Sequence, residues 1–426
     1  MINRRQALQW SMGAMTLAGL STASAAPAAE TSDLPPAIRQ LRSQTHRRQS
    51  ITPAERQQRL ARATELLQEN GLDALVICEG TTLKYFTGVS WWGSERLLAL
   101  VIPKVGKPFV VCPAFEEGRA REQLIHGADL KEMDVRPWQE DDNPYDTLAA
   151  GLKDRHLTQG KIGLEENVRF VFADGFAKAL PHVQWVSATP VTAGCRMHKS
   201  PAEIALMRLA SDVTIQAYAA TIASIKPGMT QHEVTELSRL AHAQLGFEGA
   251  ADLVLVGEYA AFPHGSVEPT RIREGSIVLF DGGCTVDGYH SDISRTFVIG
   301  TPSSKMRDVF EVVKSAQHAA LKAAGPGVPC GEVDRAARAV ITAAGFGPDY
   351  ATFTHRVGHG IGMDGHEWPY LVRGNPFLLT PGITTSNEPG IYLKGEFGIR
   401  IEDEMLITAN GAELLTGQSP SLERPI

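Results

Sequence analysis

A block of residues in the second half of the chain occurs twice. Pro227-Gly228, Glu233-Val234, Arg239 and Gly246-Phe247 recur as Pro326-Gly327, Glu332-Val333, Arg338 and Gly345-Phe346, a constant offset of 99 positions, as from Gly228 to Gly327. Each copy follows a long stretch of helical composition and precedes an acidic segment with hairpin character. A repeated unit buries its apolar face against its own copy. The pattern therefore predicts a C-terminal domain of two similar α+β halves, with a site at their junction.

The first acidic segment runs from Asp281 to Asp292 and follows the apolar run Ser276-Ile277-Val278-Leu279-Phe280. Within it, Asp287-Gly288 is a strong two-residue turn signal, because both central positions of the favoured hairpin turn need φ > 0. If Val286 faces Tyr289, Asp292 falls opposite Gly283. Asp281 shares a face with Gly283 and so lies diagonal to Asp292, within about 7–8 Å at Cβ. Two carboxylates this close raise one another's pKa unless a proton or a cation lies between them. The second segment, Asn387 to Asp403, turns through Lys394-Gly395-Glu396, and an odd-length loop centred on Gly395 sets Glu388 opposite Glu402. Between the hairpins, His355 to Glu367 is too rich in glycine for a core helix, and its histidines can reach a site. Four carboxylates and one neutral imidazole balance two divalent cations in an oxygen-rich set suited to Mn(II), Co(II) or Zn(II).

These segments resemble, in order, the five ligand motifs of the pita-bread metallopeptidases, which include methionine aminopeptidase, aminopeptidase P, prolidase and creatinase. The similarity spans roughly residues 200 to 415. It implies Asp281, Asp292, His359, Glu388 and Glu402 as metal ligands. It also places His264, in Phe262-Pro263-His264-Gly265, and His366 at positions that bind substrate or stabilise the oxyanion in relatives. Glu388 would also carry the proton of the attacking water to the leaving nitrogen, and Arg400 would orient the carboxylates. His290 and His355 are left outside the ligand set. Two bridged cations lower the pKa of a shared water enough to supply hydroxide near neutral pH, so a hydrolase of Xaa-Pro imide bonds is expected. Lys84-Tyr85-Phe86-Thr87-Gly88 resembles a segment of the N-terminal domain of aminopeptidase P, prolidase and creatinase, a domain methionine aminopeptidases lack.

Substrate length stays open between dipeptides and longer peptides. A dipeptidase must hold a free carboxylate, for which Arg373 is the candidate. Glu367-Trp368-Pro369 departs from the Asp-Val-Gly pattern of typical prolidases, which weighs against the dipeptidase. Trp91-Trp92 are candidates for an apolar rim over a proline pocket, in the same or a neighbouring subunit. The alternative is a creatinase-like amide hydrolase or a non-catalytic binding protein on the same fold, and the intact ligand set disfavours it. Family analogy implies a homodimer.

The rest of the chain supplies context. Its 426 residues suggest two domains, and 43% hydrophobic with 21% charged residues is ordinary globular usage. A net charge of −7 with no basic stripe gives no reason to expect nucleic-acid binding. Residues 1–26 read as an export signal of twin-arginine type: Arg4-Arg5, an apolar stretch from Ala7 to Leu20 too short to span a bilayer, and small residues at Ala23-Ser24-Ala25. That implies a periplasmic or secreted protein, with a Sec signal as the alternative. Five cysteines without Cys-x-x-Cys spacing argue against a disulfide framework. Residues 27–50 read as a linker, 51–195 as an α/β domain with a mixed sheet, and 196–426 as the catalytic domain. Capping boxes at Thr52-Pro53-Ala54-Glu55 and Ser200-Pro201-Ala202-Glu203 open the first helix of each domain.

Overall fold

The computed structural model describes residues 34–249 and 253–426, so residues 1–26, read above as an export signal, lie outside the described residues. Part of the stretch read as a linker is packed. Pro36–Arg39 forms a helical turn, α1, whose Ile38 is fully buried. Next, α2 (Pro53–Glu69) starts as expected: the Thr52 hydroxyl accepts from the Glu55 amide while the Glu55 carboxylate accepts from the Thr52 amide.

The N-terminal sheet consists of β1 (Ala74–Ile77), β2 (Ala99–Pro103), β3 (Phe109–Pro113), β4 (Asp134–Trp138), β5 (Gly160–Leu164) and β6 (Val183–Ser187). Its strand order is β4-β3-β2-β1-β5-β6. The ladders joining β1, β2 and β3 are antiparallel and the others parallel, which makes the sheet mixed as expected. Around it lie α3 (Thr81–Thr87), α4 (Glu117–Ala128), α5 (Pro144–Lys153), α6 (Phe170–Ala179) and α7 (Thr189–Arg196). Strand β4 contains Pro137, which cannot donate to a ladder. It therefore takes the sheet edge.

The catalytic domain opens on α8 (Pro201–Ile222), capped reciprocally by Ser200 and Glu203, followed by α9 (Gln231–Leu245). After the strands of the first half, α10 (Ser304–Ala323) and α11 (Cys330–Ile341) repeat the pair; α9 and α11 start 99 residues apart, at Gln231 and Cys330. The first half contributes β7 (Leu253–Val256), β8 (Ile277–Gly282), the short hairpin β9 (Thr285–Val286) and β10 (Tyr289–His290), and β11 (Ile293–Val298). The second contributes β12 (Gly358–Gly360), β13 (Glu367–Leu371), β14 (Thr384–Asn387), β15 (Gly390–Leu393), β16 (Phe397–Arg400), β17 (Asp403–Thr408) and β18 (Gly411–Leu414). This is the pita-bread architecture of two pseudo-twofold halves.

Both hairpins keep one register along their length. Val286 pairs with Tyr289 and Thr285 with His290; past a short break Gly282 pairs with Ile293 and Asp281 with Ser294, so Asp292 lies opposite Gly283. The turn takes φ of 53° at Asp287 and 93° at Gly288, the left-handed pair that hairpin twist demands. In the second hairpin Leu393 pairs with Phe397 and Gly390 with Arg400, and Asn387 with Asp403 continues the same frame, which leaves Glu388 opposite Glu402.

The two domains share a core. One buried apolar cluster runs from Leu66 and Leu75 of the N-terminal domain to Leu206, Val286 and Tyr289 of the catalytic domain. A polar chain crosses it: Arg59 on α2 donates to the Tyr289 hydroxyl at 2.8 Å, and Tyr289 donates to Glu203, the capping residue of α8, at 2.7 Å. The first hairpin is thereby fixed against the N-terminal domain.

Candidate metal centre

A cavity of about 370 Å³ lies between the halves, lined by all five expected ligands and by His264, His366, His355, Arg356, Val372 and Arg400. The donor atoms form overlapping groups. Those of Asp281, Asp292 and Glu402 lie within 4.8 Å of one another, and so do those of His359, Glu388 and Glu402. Glu402 belongs to both. His359 Nε2 stands 3.4 Å from Glu388 and 3.9 Å from Asp292.

The electrostatics say what such a set requires. Burial, and then repulsion from Asp281 and Glu388, push the Asp292 carboxyl well above its usual range. Burial and the neighbouring acids do the same to Glu402, and burial pushes Glu388 up to about 7. His359 goes the other way, to about 3, because burial disfavours its cation. Its Nδ1 faces the Gly360 carbonyl at 3.1 Å, which puts the proton there and leaves Nε2 as a lone-pair donor toward the carboxylates. Acids that repel each other, beside an imidazole held neutral, fit divalent metal ions.

Neighbouring side chains hold the set in place. Arg400 donates to Asp281 at 2.5 Å, to the Ser294 hydroxyl at 2.9 Å, and to the Pro263 carbonyl and the Tyr392 hydroxyl. Ser294 in turn reaches both Asp281 and Glu402 at 2.7 Å, joining two expected ligands. Buried Glu404 accepts from the Asp292 amide at 2.8 Å and from Ser211. Sequence reasoning missed Ser294, Glu404 and Tyr392, although Ser294 could have been found as the residue paired with Asp281 in the hairpin register.

The remaining sequence candidates divide. His366 stacks on His359 with ring centroids 3.7 Å apart, and His264 is an exposed residue at the cavity lining. His355, left out of the ligand set, lines the same cavity and bonds to the Tyr392 hydroxyl at 2.7 Å. Arg373 requires a correction: it pairs with Asp349 at 2.9 Å and lines a separate cavity beside α11. The turn after β13 explains this: Val372 still lines the metal cavity, while Arg373, the next residue in that turn, is carried to Asp349. Trp91 lies under the Arg119 guanidinium and Trp92 is exposed; neither lines this cavity.

A two-half α+β fold closing on a buried acid and imidazole cluster defines a metal-dependent hydrolase. Comparison with known proteins agrees. Residues 205–409 match the model of metallopeptidase family M24, and residues 59–198 match the creatinase/prolidase N-terminal domain. The Xaa-Pro dipeptidase of Lactobacillus helveticus is 33% identical over 369 residues, which is 85% of this chain and 98% of that protein. The crystal structure of dipeptidase PepE from Mycobacterium ulcerans superposes with a TM-score of 0.82 at 35% identity, covering 88% of this chain and 99% of that one. The prolidase of Thermococcus sibiricus gives a TM-score of 0.77 at 29% identity, covering 87% and 98%. The chain belongs to metallopeptidase family M24.

Proposed function

We propose that the protein is an Xaa-Pro dipeptidase working with two divalent metal ions, Mn(II) first and Co(II) or Zn(II) as alternatives. The observation that carries this reading is the sharing of Glu402 between two donor groups, which suits a pair of ions rather than one. Relatives named Xaa-Pro dipeptidase and prolidase supply the substrate class. Such ions, bound by Asp281, Asp292, His359, Glu388 and Glu402, would supply Lewis acidity that makes a water nucleophilic near neutral pH.

The chain's own residues do the rest. Glu388 accepts the proton of the attacking water and returns it to the proline nitrogen as the imide bond breaks. His366, fixed against His359, and His264, lining the same cavity, offer ring N–H donors to the carbonyl oxygen as its charge grows. Arg400 and Ser294 keep Asp281 and Glu402 oriented throughout. The test is release of proline from Ala-Pro and from Ala-Pro-Ala by metal-loaded protein. Metal-dependent cleavage of Ala-Pro in preference to the tripeptide is expected, and failure on every Xaa-Pro peptide would overturn the reading.

Residues 1–26 fit a cleaved export signal, so the same proposal places the enzyme in the periplasm or outside the cell. Fractionation of cells carrying the Arg4→Lys, Arg5→Lys variant checks it: retention in the cytoplasm is expected, and unaltered export would refute the twin-arginine route. The proposal includes a homodimer, checked by the mass measured in sedimentation.

A further inference from the structure

The cavity has two arginines and they are not equivalent. Arg400 is committed to Asp281, Ser294, Pro263 and Tyr392. Arg356 meets no carboxylate among the described residues. Its one side-chain bond is to His366 Nδ1 at 3.3 Å, and its guanidinium lies 4.3 Å from the centroid of the Tyr370 ring. Tyr370 is the cross-strand partner of His359, so this platform stands directly beside an expected metal ligand. Tyr370 packs on Trp368 with centroids 4.8 Å apart, and the Trp368 indole donates to Glu166 of the N-terminal domain at 3.2 Å. An arginine packed over an aromatic ring, beside the reacting centre and in no ion pair among the described residues, has its fork prepared for an anion.

We propose that Arg356, seated on Tyr370, is the residue that receives the free carboxylate of a dipeptide substrate, the role the sequence suggested for Arg373. This rests on the Xaa-Pro reading above and deepens it. A residue after proline would convert that carboxylate to an uncharged amide and leave the guanidinium facing a group it cannot pair with. The site would then favour dipeptides over longer peptides by charge, without a wall to block them. Arg356 also touches His366, so a ligand carboxylate on the guanidinium would sit next to the expected oxyanion donor.

The test separates the clamp from the chemistry. Calorimetry with proline and prolinamide on metal-loaded protein needs no turnover; turnover of Ala-Pro and Ala-Pro amide is measured in parallel. Wild type is expected to favour the acid over the amide in both measurements. In Arg356→Gln the preference should fall by about 10- to 100-fold, mainly through KM, as loss of a charged hydrogen-bonded pair implies. Arg356→Lys, which keeps the charge without the fork, should be intermediate. If Arg356→Gln does not fold, Tyr370→Leu, which removes the platform alone, should lower the same ratio. A preference that survives in folded, metal-loaded Arg356→Gln overturns the proposal, and so does a wild type that does not distinguish proline from prolinamide. Binding that discriminates as expected with no cleavage of either substrate upholds the clamp and overturns the peptidase reading instead.

Discussion

Arg400 illustrates how a residue outside the ligand set can govern it. Its side chain is buried and makes four hydrogen bonds within the site, with Asp281 at 2.5 Å the shortest. Lysine keeps the charge and loses the planar fork, so Arg400→Lys is expected to lower metal affinity or turnover by about 10- to 100-fold. Metal titration with a competing chelator measures it; wild-type affinity and rate would show that the carboxylates orient themselves. At this scale the sequence was legible wherever a register could be counted. Asp281, Asp292, Glu388 and Glu402 follow from two turns, and each turn announces itself through residues that accept a positive φ. His359 and His366 came from motif resemblance. Arg373 failed because nearness in sequence to His366 was allowed to stand for direction, while the turn after β13 carries it to Asp349 and a separate cavity. Arg356 carries no local signal, since only the fold shows that it has no anion.

Elements hold these residues through a few buried contacts, and the two repeat copies use theirs differently. Arg239 in the first copy pairs with Glu236 on an exposed helix face. Its counterpart Arg338 is buried, pairs with Asp334, and donates to the carbonyls of Asp349, Phe353 and His355. It anchors the loop that delivers His355, Arg356 and His359. Arg338→Met leaves Asp334 buried without its partner and is expected to cost about 3–5 kcal/mol, read from urea unfolding. A loss under about 1 kcal/mol would mean that the loop is held elsewhere. The hairpin β15/β16 lies on the turn Gly257–Ala261, so closely that a Cβ on Gly398 would meet the Ala260 carbonyl oxygen at 1.9 Å. Gly398→Ala should therefore destabilise by about 1–3 kcal/mol or more and shift the loop carrying His264, raising KM. Capping boxes and the repeat offset made the helices readable. Edge strand β4 was not, because Pro137 removes the signal that marks a strand, and α7, with Thr189, Thr192 and Gly194, has the composition of a loop.

Across the whole molecule, the junction of the domains carries its own titratable group. Glu165 is buried beside Thr82, Arg196 and Asp364, and burial pushes its carboxyl up to about 7 against the Thr82 hydrogen bond and the Arg196 charge. A pKa raised on folding means that the native state holds the proton more tightly. Its contribution to stability is complete below about 4.5 and is lost as pH rises through about 7. Glu165→Gln stays neutral, so its stability relative to wild type should rise across that window by on the order of 3 kcal/mol. Urea midpoints of both proteins at pH 5 and pH 8 measure the difference, and a constant offset would place the Glu165 proton elsewhere. The centre of the account is the gathering of Asp281, Asp292, His359, Glu388 and Glu402 from two related halves into one cavity. Metal bound per chain, counted by mass spectrometry after stripping and reloading, tests it most directly. Two divalent ions in wild type and at most one in Glu402→Gln are the predicted result; a wild type that retains no more metal than the variant would contradict it.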